Sequence, residues 1–305
     1  MTLGQLRTFL EVARCGSIVG AAATLVVTEP SVSAAVGALK RELGVALVER
    51  SGRGIRLTPA GEELAKYAAQ ILGLSDRAVR AAREAAGEVG LLRVVGVTTA
   101  GEYVLPPILA EFRARHPQVQ VALEVGNRAT AIGRLLSHEA DLAVGGRPPA
   151  ESGIQGEPFL ENALVVVGTR DHPLRARRTM EARALVGETW LLRESGSGTR
   201  ETTEEFWAGE GIAPTSVMTV GSNGAIKQAA AVGLGVTLMS VHAVRAELES
   251  GDLARLRVKG TPLRRSWHVQ YLQGSPLPPC AEHLLDLLRE RSSTRPIRST
   301  ELTAP

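Results

Sequence analysis

The chain is poor in cysteine and in aromatic residues, and both shortages exclude classes of protein. Its 305 residues include only Cys15 and Cys280, which are far apart, so a disulfide framework and a CxxC pair are excluded. Aromatic residues make up 3% of the chain, so Ala, Val, Leu and Gly must fill its cores. This composition favours helices and buried parallel strands, and the cysteine pattern predicts a reducing, cytoplasmic location.

Several sequence signals for membranes, metals and catalysis are also missing. No apolar run reaches membrane-spanning length, the first residues carry no secretory signal, and the six histidines lack metal-ligand spacing. The phosphate-loop pattern GxxxxGK[ST] and the nucleophile pattern GxSxG do not occur, and no Ser/His/Asp order is visible. We therefore predict a protein that is not an enzyme and that uses no metal, cofactor or membrane.

The positive charge lies in the first part of the chain. Residues 1–60 hold seven Lys and Arg against four Asp and Glu, whereas the remaining 245 residues hold 28 of each sign, so the net charge of +3 belongs to the first sixty. A basic segment of this kind is the electrostatic footprint of nucleic-acid binding. A length of 305 residues also predicts two or three domains.

The first 58 residues have the pattern of a winged helix-turn-helix. Apolar residues recur at helical spacing in three short segments, and the third begins with a Thr28 cap and a proline in its first turn. Two short strands around 51–54 follow as a wing. The residues predicted to contact DNA are Glu29, Pro30, Ser31 and Ser33 on the third helix and Arg50, Arg53 and Arg56 on the wing.

Alternatives remain open for some of these residues. Ser31 and Ser33 lie in the first turn of the third helix, where hydroxyls also serve as local helix caps. Gly52 and Gly54 flank Arg53 and would let the backbone come close to a phosphate or a minor groove. DNA contact is therefore expected most firmly for Arg53.

A long helix over residues 59–88 follows the head. Its predicted apolar seam has 4-3 spacing, which is typical of a helix that pairs with a second copy of itself, although it could instead lie on its own domain. The seam residues are Leu64, Ala68, Ile71, Ala78, Ala82 and Ala85, with Ser75 at one position.

After a break at 87–90, strands alternate with helices, which predicts βαβ units in a two-lobed α/β domain over residues 89–295. The series is interrupted near Gly168 and near Trp267. We therefore place lobe 1 at about 89–167 and 268–292, lobe 2 at about 168–267, and a flexible polar tail at 296–305.

The carboxyl ends of the predicted strands are where a ligand of such a fold would bind. Hydroxyl, amide and backbone N–H groups gather there at helix starts, which favours an anionic or polar small molecule. The predicted effector-binding residues are Thr98, Thr99, Ala100, Asn127, Ser197, Thr199, Arg200 and Asn223. Thr, Ser and Asn residues commonly cap helices, so plain helix capping is the alternative role for the predicted residues of these types. Arg200 could instead pair with Glu204.

The first sixty residues resemble the LysR-type transcriptional regulators. The resemblance is densest at 30–33 (Pro-Ser-Val-Ser), at 43–44 (Leu-Gly) and at 57–61 (Leu-Thr-Pro-Ala-Gly). Weaker similarity covers nearly the whole chain, and the stretches at 126–127, 198–200 and 222–227 look most like the branch that contains regulators of carbon fixation and sulfur assimilation.

The resemblance implies a fold, partners and a mechanism. It implies a winged helix-turn-helix head, a long linker helix and a two-lobed, periplasmic-binding-protein-like regulatory domain. It also implies a homodimer or homotetramer on palindromic promoter DNA, a small-molecule co-inducer in the cleft, and action on RNA polymerase. The alternatives from other classes are a solute-binding or enzyme-like domain with a vestigial DNA-binding head, and an architectural DNA-binding protein without a ligand.

Two positions depart from the family pattern. Position 29 is Glu where the family usually has Gln, and a Glu only accepts hydrogen bonds and repels phosphate. Glu29 could select the amino group of a cytosine, or it could simply favour the helix N-terminus. Position 48 is Val where the family prefers Phe, which predicts a smaller packing contact.

Overall fold

The computed structural model describes residues 1–52 and 54–294, so Arg53 and the expected tail at 296–305 lie outside the described residues. The chain forms two compact units. The first comprises Met1–Glu88 with Leu136–Glu139, and the second comprises Val89–Leu135 with the chain from Ala140 onward. Each is described separately below.

The head of the first unit contains three helices and a two-stranded hairpin. They are α1 (Leu3–Cys15), α2 (Ile18–Leu25), α3 (Glu29–Leu43), β1 (Val48–Ser51) and β2 (Gly54–Leu57). The side chains of Val12, Val32 and Val36 join Ala21 and Ala22 in a core between the helices. A second core, formed by Leu6, Phe9, Leu39 and Leu47, joins α1 and α3 to the start of the next helix.

Local capping explains where these helices begin and end. The hydroxyls of Ser17 and Thr28 accept backbone N–H groups at the starts of α2 and α3. Gly16 and Gly44 end α1 and α3 in the left-handed region, with φ of 59° and 72°, which glycine adopts at no steric cost. The N–H of Ile55 donates to the carbonyl of Gly16 at 2.8 Å and fastens the hairpin to the end of α1.

The long helix α4 (Pro59–Ala85) carries the predicted seam, and the head covers one position of it. Ala68 is fully buried in the core of the head, and Leu72 is buried beside it. Ile71 of the seam is exposed and follows 4-3 spacing with the exposed Tyr67 and Leu74, and Val79 is exposed as well. The expectation failed at Ala68 because a small side chain lets α4 approach the head closely, a contact that helical spacing alone does not reveal.

The second unit is an α/β domain with one seven-stranded sheet and a separate pair of strands. The first lobe holds β3 (Leu91–Val97), α5 (Thr98–Tyr103), α6 (Leu105–Arg115), β4 (Gln120–Gly126), α7 (Arg128–Leu136), β5 (Leu142–Gly145) and α11 (Pro279–Thr294). β3 lies between β4 and β5 and pairs parallel with both. The hydrophobic core of the first lobe is the largest among the described residues, and it packs α6 and α11 against the sheet.

The second lobe is built around two cores of its own. It contains β7 (Thr189–Leu192), α8 (Gly198–Glu210), β8 (Ser216–Thr219), α9 (Asn223–Ala231), β9 (Thr237–Ser240), α10 (Val241–Ser250) and β10 (Leu253–Leu256). β7 and β8 pair parallel, and the buried Trp190 lies at the centre of one core. A short 3₁₀ turn, Ala182–Leu185, precedes β7.

Two long antiparallel strands, β6 (Ile154–Thr169) and β11 (Leu263–Leu272), run through both lobes. At one end β11 pairs with β5, and at the other β6 pairs with β9 and β10. Residues 160–163 and 264–267 therefore form the crossing. The crossing part of β11 ends at Trp267, and the crossing part of β6 precedes Gly168 by several residues, because the apolar run up to Val167 continues one strand.

Among the described residues no single helix is both long and apolar enough to cross a membrane. One pair, α2 with α3, meets that test together by length and composition alone, with a bend of 110° between them.

Candidate functional site

The head presents the start of α3 to the outside. Glu29, Pro30, Ser31 and Ser33 are all exposed, whereas Val32 between them is fully buried. The hydroxyl of Ser31 lies 2.8 Å from that of the cap residue Thr28, and the N–H of Ser31 donates to the same oxygen. The local-capping alternative thus describes Ser31, while the Ser33 hydroxyl has no hydrogen-bond partner among the described residues.

The wing arginines differ in whether a carboxylate neutralises their charge. Arg50 is exposed and has no ion-pair partner among the described residues. Arg56 is exposed too, but its Nε lies 2.7 Å from the carboxylate of Glu49, its cross-strand neighbour. Arg50 is therefore the stronger of these two for a phosphate contact. Arg53, placed on the wing by the sequence, lies outside the described residues.

A cleft of about 750 Å³ lies between the two lobes of the second unit. Five of the eight predicted effector residues line it: Thr98, Thr99, Asn127, Ser197 and Thr199. They follow the carboxyl ends of β3 and β4 and open α8, and the starts of α5, α7 and α8 all meet the cleft. Helix N-termini carry unpaired N–H groups and a partial positive charge, so three of them favour an anion here.

Some of the polar side chains at the helix starts in the cleft already make hydrogen bonds within the protein. The carboxamide oxygen of Asn127 accepts from the N–H and hydroxyl of Thr130 at 2.9 and 3.0 Å, so that oxygen caps α7. The hydroxyl of Ser197, by contrast, makes no cap bond with α8. The side chain of Ser197 is therefore available to a ligand, whereas Asn127 offers its amide nitrogen.

Two threonine hydroxyls are held by the opposite lobe. Thr98 donates to the carbonyl of Gly126 at 3.1 Å and accepts from Nη2 of Arg193 at 3.3 Å. Thr99 accepts from Nδ2 of Asn223 at 3.1 Å, and Asn223 in turn accepts from Nη1 of Arg193 at 2.7 Å. The expected ligand-contacting hydroxyls thus also form a polar bridge between the lobes.

Three predicted residues do not line the cleft. Ala100 and Asn223 are fully buried, and Asn223 acts by positioning Arg193 and Thr99. Arg200 donates from Nε to Glu204 at 2.8 Å and also reaches the carbonyl of Arg193. The alternative of an Arg200–Glu204 pair is what the structure contains, because residues four apart on a helix are neighbours.

Arginine dominates the charge of the cleft, and most of it is neutralised. Arg128 pairs with Glu201 at 3.1 Å, Arg264 with Glu161 at 2.8 Å and Arg265 with Glu205 at 2.7 Å, and all six line the cleft. Arg193, which is 3% exposed, lies against the carboxylate of its neighbour Glu194. Among the cleft-lining arginines only Arg147 has no carboxylate partner within the described residues.

The pKa values in and beside the cleft follow from burial and from these pairs. Burial raises the pKa of Glu194, but the hydrogen bond from Arg193 and a backbone N–H outweigh it and hold that pKa below its ordinary value. Burial lowers the pKa of His268, and the positive charge of Arg147 lowers it further against the opposing effect of the Ser266 carbonyl. Burial and the Arg147 charge therefore both favour the neutral form of the His268 imidazole.

Arg147 and Arg193 are cleft residues that the sequence reasoning missed. Arg193 directly follows β7, and Arg147 lies two residues after the end of β5. Both positions obey the rule that ligand sites lie beyond the carboxyl ends of strands. The position of both residues after strands is therefore a signal that the sequence contains, although the predicted set included only one arginine, Arg200.

Comparison with known proteins agrees with this architecture. Residues 3–62 match the model of the bacterial regulatory helix-turn-helix protein, lysR family, and residues 85–293 match the LysR substrate binding domain. The chain is 38% identical over 288 residues to the HTH-type transcriptional activator CmpR of Synechocystis, covering 94% of each chain. It is also 38% identical to the RuBisCO operon transcriptional regulator of Allochromatium vinosum, covering 92% of this chain and 93% of that one.

A solved structure matches the regulatory domain. The regulatory domain of CcmR from Synechocystis PCC6803, determined in complex with 2-PG, superposes with a TM-score of 0.62 at 35% identity, covering 66% of this chain and 97% of that domain. The chain covers 94% of CmpR and 93% of the Allochromatium regulator, and both are transcriptional regulators rather than enzymes, which does not support the alternative of a vestigial head on an enzyme-like domain. They also confirm the resemblance to the carbon-fixation branch. The chain therefore belongs to the LysR family and is a DNA-binding transcriptional regulator rather than an enzyme.

Proposed function

We propose that this regulator binds a small anionic metabolite in the cleft between its lobes and that this binding changes how its heads engage promoter DNA. The observation that carries the proposal is the meeting of three helix N-termini around Arg147, the one cleft arginine without a carboxylate partner among the described residues. An anion there would be attracted by both the dipoles and the guanidinium. The 2-PG in the related CcmR domain supports a ligand in this domain.

We assign the effector contacts to Thr98, Thr99, Asn127, Ser197, Thr199 and Arg147, with Arg193 and Asn223 positioning the two threonines. Ala100 and Arg200 leave the contact set, since neither lines the cleft. Effector binding would act as a population shift between lobe arrangements, because it changes contacts that bridge the lobes.

The head would read double-stranded promoter DNA with the start of α3 and grip the backbone with the wing. Ser33, Glu29 and Arg50 are the exposed groups that support this assignment, together with the sequence position of Arg53. Ser31 contributes mainly by fixing the first turn of α3 with Thr28. The working boundaries are 1–58 for the head, 59–88 for the linker helix and 89–295 for the effector domain.

The exposed face of α4 supports a homodimer, and two dimers would form a homotetramer on a palindromic site. Tyr67, Ile71 and Leu74 are 57, 38 and 44% exposed, and apolar side chains at this spacing pack well against a second helix. We further propose that the assembly acts on RNA polymerase in the cytoplasm, as the family resemblance implies.

Footprinting of the full chain on its own upstream promoter and on a random duplex tests the proposal. Inorganic phosphate, sugar phosphates and dicarboxylates would be added in turn, with the melting temperature measured in parallel. At least one anion should raise the melting temperature and alter the promoter footprint, since a ligand that binds only the folded state stabilises it. The proposal would be contradicted if no anion changed the melting temperature or the footprint and the protein bound its promoter no better than the random duplex.

A further inference from the structure

Two residues that line the cleft each contain a buried polar atom without a hydrogen-bond partner among the described residues. The atoms are Oδ1 of Asn162 and Nε1 of Trp267, in side chains that lie on the two crossing strands. Asn162 is 8% exposed and Trp267 is 4% exposed, and both residues line the cleft. The effector assignment above uses neither residue.

Strand register brings the two side chains together. Asn162 lies opposite Arg265 and Trp267 lies opposite Leu160 in the antiparallel pairing of β6 and β11. Directly opposed residues share a face, and so do residues two apart, so the Asn162 and Trp267 side chains lie on the same face as diagonal neighbours. The strand bulge falls after Trp267 and does not disturb this register.

Leaving a buried donor or acceptor unpaired is costly, because the group has lost its hydrogen bonds to water and gained none in return. Unpaired buried groups are rare in native proteins, and a ligand that pairs with them removes the cost. The cleft, at about 750 Å³, has room for a molecule well beyond the size of an inorganic anion.

The two atoms need different chemistry. The indole N–H of Trp267 needs an acceptor, and the carboxamide oxygen of Asn162 needs a donor. A phosphate dianion or carboxylate can only accept, so it would leave the carboxamide unpaired. A hydroxyl both donates and accepts, and it would satisfy the Asn162 carboxamide in either orientation of its amide.

We propose that Asn162 and Trp267 form a hydroxyl-recognition subsite, so that the effector is a hydroxylated anion. The anionic group would lie at the helix N-termini and Arg147, and a hydroxyl on the same molecule would reach the crossing strands. This inference rests on the proposed function, since it specifies the ligand of the same cleft.

Calorimetry on the full chain with two matched ligands tests the subsite. Glycerol 3-phosphate and propyl phosphate share a three-carbon chain and a phosphate, and only the first carries hydroxyls. The wild type should bind glycerol 3-phosphate at least about tenfold more tightly, because pairing one buried group is worth about that factor. Asn162→Ser and Trp267→Phe should reduce the preference to about threefold or less.

Trp207→Phe is the matched control. Its Nε1 is also buried and has no hydrogen-bond partner in the part of the chain that the structure describes, but Trp207 packs at the edge of a core in lobe 2 and does not line the cleft. This variant should retain the full preference. If Trp267→Phe fails to fold, Asn162→Ser alone carries the comparison, since it keeps a small polar side chain on the strand.

The outcomes separate the two proposals. Equal affinity for both ligands, binding of inorganic phosphate alone, or a preference that survives both variants would overturn the subsite and leave the anion site standing. A wild type that binds neither organic phosphate nor inorganic phosphate would overturn the anion site as well.

Discussion

Arg193 and Thr98 join the two lobes of the regulatory domain through a hydrogen bond of 3.3 Å from Nη2 to Oγ1. Arg193 follows β7 in one lobe and Thr98 opens α5 in the other. The carboxamide oxygen of Asn223 accepts a hydrogen bond from Arg193 at 2.7 Å, and its nitrogen donates to the Thr99 hydroxyl at 3.1 Å. A continuous series of hydrogen bonds therefore joins the two lobes across the cleft. Any ligand that engages the two threonines must share their oxygens with this bridge, which couples effector binding to lobe arrangement.

The polar bridge between the lobes predicts that Arg193→Gln will lower the stability of the folded protein. The substitution would leave the fully buried Asn223 without its donor and Glu194 without its ion-pair partner, so the free energy of unfolding should fall by about 1–3 kcal/mol. Arg200→Gln breaks a half-exposed pair with Glu204 and a longer hydrogen bond to the Arg193 carbonyl, and it should cost less than about 1 kcal/mol. Urea unfolding of the three proteins measures both, and equal losses would contradict a structural bridge.

Arg147→Gln should weaken effector binding without unfolding the protein. Arg147 is exposed on the cleft wall, so its loss removes charge but opens no cavity, and the affinity for an anion should fall about 10–100-fold. The melting temperature without ligand should stay unchanged. Arg113→Gln, an exposed arginine on α6, is the control and should bind the anion like the wild type. Unaltered affinity in Arg147→Gln would remove this residue from the site.

Arg53→Ala should weaken binding to every DNA sequence and flatten its salt dependence. Each phosphate contact contributes about −0.9 to the slope of log affinity against log salt, so one lost contact should make the slope about 0.9 shallower. Arg50→Ala should behave similarly, since Arg50 is exposed with no ion-pair partner among the described residues. Arg56→Ala should do less, because Glu49 already neutralises it. Fluorescence titrations at several salt concentrations give the slopes, and an unchanged slope would place that residue away from the DNA.

The exposed apolar side chains of α4 predict that Leu74→Glu will weaken the proposed dimer. A carboxylate in the middle of an apolar helix pair would be desolvated without a partner, and the association constant should fall at least tenfold. Asp76→Lys, on the opposite face of the helix, loses only an exposed contact with Arg7 and should leave association intact. Sedimentation equilibrium distinguishes the two variants. A Leu74→Glu protein that remains dimeric would assign dimerisation to another surface.

The histidines predict lower stability in mild acid. Burial lowers the pKa of His242, with Arg245 lowering it further and the Glu161 carbonyl opposing both, and burial also lowers the pKa of His116 and His268. A group with a lower pKa in the folded state stabilises the fold above its unfolded pKa. That contribution is lost as the pH falls from about 7 through the unfolded value of about 6.5 towards the folded values.

Unfolding free energies between pH 7.5 and 5 would measure this effect. His242→Gln should flatten the decline relative to the wild type, because a glutamine can still donate to the Glu161 carbonyl but does not titrate. A decline of equal steepness in both proteins would assign the acid sensitivity to other groups.

Much of the head could be predicted from sequence because its determinants are local. Thr28 caps α3 three residues from its partner, and Gly44 ends the same helix in the left-handed region. The cap and the turn depend on side chains within a few residues, so the pattern of residue types is sufficient evidence for them.

The cleft was predicted only in part. Thr98, Thr99, Ser197 and Thr199 line it as expected, because polar residues at helix starts after strands follow a topological rule. Ala100 and Arg200 were assigned by proximity in sequence and lie outside it.

The sequence by itself determined the order of helices and strands in the head, the family, and the end of the sheet at which a ligand would bind, since caps, periodicity and strand ends are properties of neighbouring residues. Only the tertiary structure decided which side chains of α4 remain exposed and which cleft-lining arginine has no carboxylate partner among the described residues. It also paired Thr98 and Thr99 with groups 95 and 124 residues away. Contacts over such separations arise when distant segments pack together, and no local pattern encodes them.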